Sequence, residues 1–116
     1  MNQTARDQKK EQAQKSFELA RKYYQELKTL NALKESMTTF YFQQDVGVDP
    51  EKSKSIMDIR LEIDQKVYDV DLKYTVQKVV MRDTIKWLIE TAPYELQQEI
   101  EQYYSDKYWA NLYKPL

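Results

Sequence analysis

The chain has 116 residues and a formal net charge of −1, a length that suits one domain with a substantial core and not two. It contains no cysteine and no histidine, which excludes disulfides, thiol chemistry and the usual zinc and copper sites. No apolar run approaches the roughly 20 residues of a membrane span, and the N-terminus lacks an apolar signal-peptide core. We therefore expect residues 1–116 to form a single cytoplasmic domain without a cofactor and without membrane contact.

The first predicted element is a mildly basic helix. Residues 5–36 are rich in good helix formers, and apolar residues recur at three- and four-residue steps from Phe17 to Met37. Residues 1–12 carry almost none of this pattern, so we expect them to form a disordered or projecting extension. Four cations of this helix are candidates for binding single-stranded nucleic acid: Lys15, Arg21, Lys22 and Lys28. The alternative is an ordinary solvated helix face, because glutamates interrupt the basic row.

The composition changes after the first helix. Residues 37–44, MTTFYFQQ, are rich in β-branched and aromatic side chains and predict a strand. A loop with Gly47 follows. The sequence Asp49, Pro50, Glu51 is a helix-start signature and predicts a short helical turn over 50–55.

Residues 57–76, MDIRLEIDQKVYDVDLKYTV, alternate between apolar and polar side chains almost without error. Because side chains on a strand point alternately to its two faces, this pattern predicts a β-hairpin with its turn at residues 65 and 66. In that register Arg60 opposes Asp71, and Asp58 opposes Lys73, as favourable charge pairs. A long helix is the alternative, since one set of apolar residues has heptad-like spacing: Ile56, Ile59, Ile63, Val67, Val70 and Tyr74. We favour strands because such a helix leaves a second apolar set on its other side: Met57, Leu61, Tyr68, Leu72 and Val76.

The predicted hairpin also carries a chemical pattern. Asp71-Leu72-Lys73 lies on one strand, with Asp58 and Glu62 on its neighbour, and carboxylates beside a lysine are what a Mg²⁺-dependent nuclease needs. The pattern resembles the end of the restriction-endonuclease-like signature, which closes with an acidic residue, one further residue and a lysine; the usual Pro-Asp start is missing. The resemblance covers only these residues and implies a magnesium-dependent phosphodiesterase. The alternative is that these side chains form cross-strand ion pairs on a solvated face.

A helix is predicted over residues 80–91, and Pro93 ends it and begins a second helix that runs to about Pro115. The second helix carries five large aromatic residues within eleven positions: Tyr103, Tyr104, Tyr108, Trp109 and Tyr113. One helix cannot bury all five against a small sheet, and Tyr and Trp are over-represented at interfaces, so we expect a partner-binding surface here. The alternative is that the rings cap the edge of the core with their hydroxyls in water.

These elements predict an α+β fold: a long N-terminal helix, a three-stranded antiparallel sheet centred on the hairpin at 57–76, and two C-terminal helices. The alternative is an all-α chain with a long central helix. Because the usual catalytic residue types are missing, we expect a non-enzymatic protein that binds another protein and can form homo-oligomers. It is similar in style to small regulators and inhibitors encoded by phages and other mobile elements. The alternatives are an accessory structural subunit of a larger complex, a single-stranded nucleic-acid binder and the Mg²⁺-dependent nuclease.

Overall fold

The computed structural model describes the backbone of residues 2–43 and 50–116 and the side chains of residues 4–37 and 57–116. Helix α1 spans Asn2–Gln43, and helix α2 spans Pro50–Glu90. A 3-10 turn at Tyr94–Leu96 leads into the short helix α3, Gln97–Tyr104, which continues as a π-helical turn over Ser105–Trp109. Within the described ranges the chain is all-α and contains no strand.

The predicted α+β class is therefore wrong. Residues 57–76 lie inside α2, and residues 37–43, predicted as a strand, belong to the last turns of α1. The expected loop around Gly47 lies outside the described residues. The helix start at Pro50 is confirmed, because α2 begins there, but the helix continues for 41 residues instead of a single turn.

The cross-strand ion pairs fail together with the hairpin. Along an α-helix the rise is about 1.5 Å per residue, which separates Arg60 from Asp71 by about 16 Å and Asp58 from Lys73 by about 22 Å. Asp64, on the same stretch, pairs instead with Lys34 of α1, with a distance of 2.7 Å between Nζ and Oδ1.

Helices α1 and α2 pack as an antiparallel hairpin. Near one end Arg6 donates a hydrogen bond to the Leu88 carbonyl at 3.4 Å, and toward the other end Lys34 meets Asp64. Between them the ring centroids of Tyr24 and Tyr74 lie 5.8 Å apart. As the residue number rises on α1, the number of the contacted residue falls on α2, which fixes the antiparallel direction.

The buried seam of the hairpin, called the inner seam below, combines small residues of α1 with large residues of α2. Ala13 and Ala20 are completely buried, and Ser16 between them is also buried. Such small side chains allow two helices to approach closely. The facing residues of α2 follow steps of seven, four and three: Ile63, Val70, Tyr74, Met81, Ile85 and Leu88. These steps keep the apolar side chains on one helical face.

The C-terminal segment, residues 94–116, adds a third layer over only part of the hairpin. Tyr104 and Tyr108 join Ala13, Met81, Ile85 and Leu88 in one core cluster, and Leu112 joins the cluster around Ala20, Leu27, Val70 and Tyr74. The molecule measures 69 × 22 × 18 Å with a radius of gyration of 20.7 Å. A compact domain of this length has a radius of gyration of about 13 Å. The hairpin thus has a three-layered end, at residues 4–27 and 70–116, and a two-helix end.

Candidate protein-binding cleft

The aromatic C-terminal segment is shaped by its π-helical turn. The Ala110 amide donates to the Ser105 carbonyl at 3.0 Å, which is the wider i to i+5 turn. The Asn111 side-chain amide donates to the carbonyls of Asp106 and Lys107 at 3.0 and 2.9 Å and satisfies two acceptors that the turn leaves open. In a regular α-helix, side chains four positions apart differ in direction by about 40° around the axis, so three such residues in succession turn away from one face. The wider turn offsets this rotation. Tyr104, Tyr108 and Leu112 are consequently all buried.

Four aromatic rings form a continuous cluster at the three-layered end. The Phe17 and Tyr108 centroids lie 4.9 Å apart, and the Tyr108 ring stacks on Tyr104 at 5.6 Å. Tyr103 meets Tyr104 edge to face at 5.1 Å. Offset and edge-to-face pairs of this kind add to the free energy gained from burial, so the four rings stabilise one another. Tyr103 is the outermost ring, and its side of the cluster remains open to solvent.

A cleft of about 870 Å³ opens beside this aromatic unit, between the N-terminal third of α1 and the C-terminal segment. Its apolar lining comes from one stretch at the end of α2 and the segment after it: Leu88, Pro93, Leu96, Ile100, Tyr103, Tyr104 and Tyr108. Its rim carries both signs of charge: Arg6, Lys10, Lys15 and Lys107 with Glu11, Glu18 and Glu99. A cavity of this size with an apolar floor and a few polar groups has the character of a binding site.

Burial and neighbouring groups shift the pKa values of Tyr104 and Lys107, which both line the cleft. Burial raises the pKa of Tyr104, and the neighbouring Tyr108 raises it further, so the phenol stays neutral. Burial acts to lower the pKa of Lys107, but Tyr108 and Tyr103 outweigh this effect and the pKa lies above its usual value. The Lys107 ammonium lies 5.6 Å from the Tyr103 centroid and 5.3 Å from that of Tyr108. Lys107 is therefore a fixed cation held over an aromatic wall.

The five aromatic residues that the sequence singled out do not form one surface. Tyr104 and Tyr108 are core residues, and Trp109 is half-buried against both core clusters. Tyr113 is 52% exposed and packs edge to face on Tyr24 of α1, with 4.9 Å between the ring centroids. Tyr103, at 55% exposure, is the one of the five that both lines the cleft and faces solvent.

The opposite wall of the cleft was not anticipated. Arg6 and Lys10 lie in the segment that was expected to be a disordered or projecting extension, but residues 4–12 are helical here. Arg6 is held by its hydrogen bond to Leu88, and the Lys9 ammonium lies 5.5 Å from the Trp87 ring centroid. The weakly apolar pattern of residues 1–12 concealed these contacts, because they are made by a backbone carbonyl and by the face of an aromatic ring.

The four cations considered for nucleic acid are divided between surfaces. Lys15 forms an ion pair with Glu11 at 3.2 Å and lines the cleft. Arg21 donates to the carbonyls of Lys114 and Pro115 and thereby ties the end of the chain to α1. Lys28 lies 5.7 Å from the Tyr24 ring centroid, and Lys22 is exposed. The nucleic-acid interpretation stays a prediction, and the structure assigns intramolecular contacts to three of its four residues.

The nuclease arrangement depended on two adjacent strands, and these residues are helical. Asp58 and Asp71 are about 20 Å apart along α2, too far to share one metal ion. Within the described part of the chain there is no grouping of three or more acidic, histidine or cysteine side chains that could hold a metal.

No described helix is long and apolar enough to cross a membrane.

Comparison of the chain with protein-family models, with curated proteins and with solved structures finds no match.

Proposed function

We propose that this chain is a non-enzymatic protein, a small regulator or inhibitor, that binds an apolar segment of another protein in the cleft between α1 and α3. The observation that carries the proposal is that Tyr103 is 55% exposed at the cleft, whereas Tyr104 and Tyr108 behind it are buried. Exposed tyrosines that are fixed by packing lose little conformational entropy on binding, and such residues dominate the energetics of many interfaces.

The charge of the rim indicates what kind of segment fits. The four cations and three carboxylates around the cleft nearly cancel, and one pair, Lys15 with Glu11, is already closed. A phosphate backbone is favoured by a surface of one sign, whereas a peptide with polar residues of both signs suits a mixed rim. Leu96 is 44% exposed and lines the cleft together with Pro93, so the cleft offers aliphatic as well as aromatic surface to an apolar segment.

The test uses two matched tyrosines on the C-terminal segment. Tyr103 lines the cleft, whereas Tyr94 is 85% exposed and does not line it. Partners co-purified with the tagged wild-type chain from its native source are identified, produced separately and titrated against wild type, Tyr103→Ala and Tyr94→Ala by calorimetry. Binding at least tenfold weaker for Tyr103→Ala, about 1.4 kcal/mol, is expected, with Tyr94→Ala unchanged.

A photo-reactive amino acid placed at position 103 should also cross-link to an apolar stretch of the same partner. If no partner discriminates between the two tyrosine variants, the cleft is not the binding site. Binding to single-stranded oligonucleotides that weakens steeply with salt would replace the proposal with the nucleic-acid alternative.

A further inference from the structure

Helix α2 has a second apolar face that nothing in the described chain covers. We call it the outer stripe: Met57, Leu61, Tyr68, Leu72, Val76 and Val79, each between 40 and 67% exposed. At about 100° per residue these six positions fall within an arc of about 100°, roughly opposite the inner seam, and they extend for about 33 Å along the helix. Scattered exposed apolar residues are normal, but a continuous row of this length indicates an interaction surface.

The polar residues within the stripe are satisfied inside the helix. The Gln65 side chain donates to Asp69 at 3.1 Å, and the Thr75 hydroxyl donates to the Asp71 carbonyl at 2.9 Å. With these two included, the row repeats every seven residues, Leu61 with Tyr68 and Thr75 on one side and Gln65 with Leu72 and Val79 on the other. A seven-residue repeat without charge is the pattern by which one helix packs along another.

The charge along α2 is divided between its two halves. Residues 57–71 contain five acidic and two basic residues, a net charge of −3, and residues 72–86 contain four basic and one acidic residue, a net charge of +3. The same division argues against a lipid surface, because half of the stripe is flanked by carboxylates, whereas helices that bind at membrane surfaces carry a basic polar face.

We propose that two copies of this chain associate through the outer stripe with their α2 helices antiparallel. In this direction the acidic half of each α2 helix lies along the basic half of the other. The dimer therefore contains two equivalent pairs of oppositely charged halves. A parallel pair would place like charges together over the whole length. The boundary between the halves falls beside Leu72, so the two-fold axis lies near the centre of the stripe, where Tyr68 and Leu72 can bury their side chains. The two hairpins then form a four-helix arrangement in which neither outer stripe faces water.

Self-association is tested on the full chain by sedimentation equilibrium between about 1 and 500 µM. A reversible dimer is expected for the wild type, weakened at least tenfold by Leu72→Asp and left unchanged by Tyr94→Asp, a matched substitution outside the stripe. Far-UV circular dichroism checks that Leu72→Asp keeps its helices, and Tyr68→Ala serves as the second variant if it does not. A monomer at every concentration, or a dimer that is indifferent to both stripe variants, would overturn the proposal.

The direction of the pairing is tested separately. Because the chain has no cysteine, Asp83→Cys introduces a single attachment point for a spin label. In an antiparallel dimer centred near residue 70 the two labels are about 40 Å apart, whereas a parallel dimer holds them within about 15 Å. Added salt should weaken the antiparallel dimer, since it screens the attraction between the halves. A short label distance, or a dimer strengthened by salt, would refute the antiparallel arrangement. The outer stripe and the cleft share no residue, so neither result decides the proposed function.

Discussion

Leu61 and Ile63 lie two residues apart, and truncating each to alanine tests the central feature of the fold. On a strand the two side chains share one face, but on α2 Ile63 is 5% exposed in the inner seam and Leu61 is 64% exposed on the outer stripe. Removing a buried isoleucine side chain costs about 2 to 5 kcal/mol. We expect about 2 kcal/mol for Ile63→Ala, because the two-helix end has no third layer above it.

The expected loss for Leu61→Ala is much smaller. Full burial of a leucine is worth about 2 kcal/mol, and only about a third of this side chain is covered, which leaves roughly 0.5 kcal/mol. Alanine is also the better helix former and offsets part of that loss. With a urea dependence of about 1.5 kcal/mol per molar, the unfolding midpoint should fall by about 1.3 M for Ile63→Ala and by about 0.3 M or less for Leu61→Ala.

The assay is urea unfolding followed by circular dichroism at a protein concentration low enough to keep the chain monomeric, so that lost self-association does not add to the loss at Leu61. The dependence on urea should be the same for both variants, which shows that the same surface is exposed on unfolding. Equal losses at the two positions would refute the helical assignment of this stretch.

Two further predictions concern the three-layered end. Replacing Arg21 by methionine, which cannot donate a hydrogen bond, removes both Arg21 bonds and leaves the Gln25 amide on the Lys114 carbonyl, so carboxypeptidase should trim the last residues several-fold faster; unchanged trimming would show that the Arg21 bonds do not hold the tail. Burial raises the pKa of Tyr74 and of Tyr104 above that of an unfolded tyrosine, and at Tyr74 a hydrogen bond with Tyr113 adds to the effect. The folded chain keeps protons that the unfolded chain has lost, so this contribution is complete below about pH 10 and falls above it by up to about 1.4 kcal/mol per pH unit for each tyrosine. Urea unfolding between pH 8 and 11 measures this slope, and a free energy of unfolding that stays constant over that range would contradict the burial of these phenols.

The helix boundaries with local chemical signals could be predicted from the sequence. Pro50 begins α2, and the helix predicted over 80–91 ends where α2 ends, near Glu90, with the interruption at Pro93 where it was expected. Its predicted start at residue 80 is wrong, because that residue lies inside α2. These features depend on residues whose backbone preferences act within a few positions. They needed no knowledge of the tertiary structure.

The stretch 57–76 shows where such reasoning fails. Its inner residues do have helical spacing, but the sequence favours strands because a helix leaves Leu61, Tyr68 and Leu72 on its outer side. The preference for strands holds only if every large apolar side chain is buried within its own chain, but apolar atoms contribute more than half of a typical protein surface. A helix with apolar residues on two opposite faces looks like an alternating strand. The pattern cannot separate the two when one face is not covered by the described part of the same chain.

Only one of the two walls of the cleft could be predicted from the sequence. The aromatic wall comes from one short segment, so Tyr103 could be found from composition alone. The other wall, with Arg6 and Lys10, is about 90 residues away and faces Tyr103 only because α1 and α2 are antiparallel. Once α2 had been assigned to strands, no sequence signal could bring these residues together.

The antiparallel hairpin also determines how local stability is distributed along the molecule. The contact between Lys34 and Asp64 closes a loop of 30 residues, whereas that between Arg6 and Leu88 closes one of 82. The entropic penalty of the longer closure exceeds that of the shorter one by only about 1 kcal/mol. The three-layered end contains the aromatic cluster and the third layer. The apolar surface buried there contributes more free energy than this difference in closure entropy. The three-layered end, which is closed by the longer loop, is therefore the more stable end of the hairpin. In native-state hydrogen exchange, amides around Lys34 and Asp64 should open in small fluctuations, while those around Ala13 and Leu88 exchange only when the whole molecule unfolds.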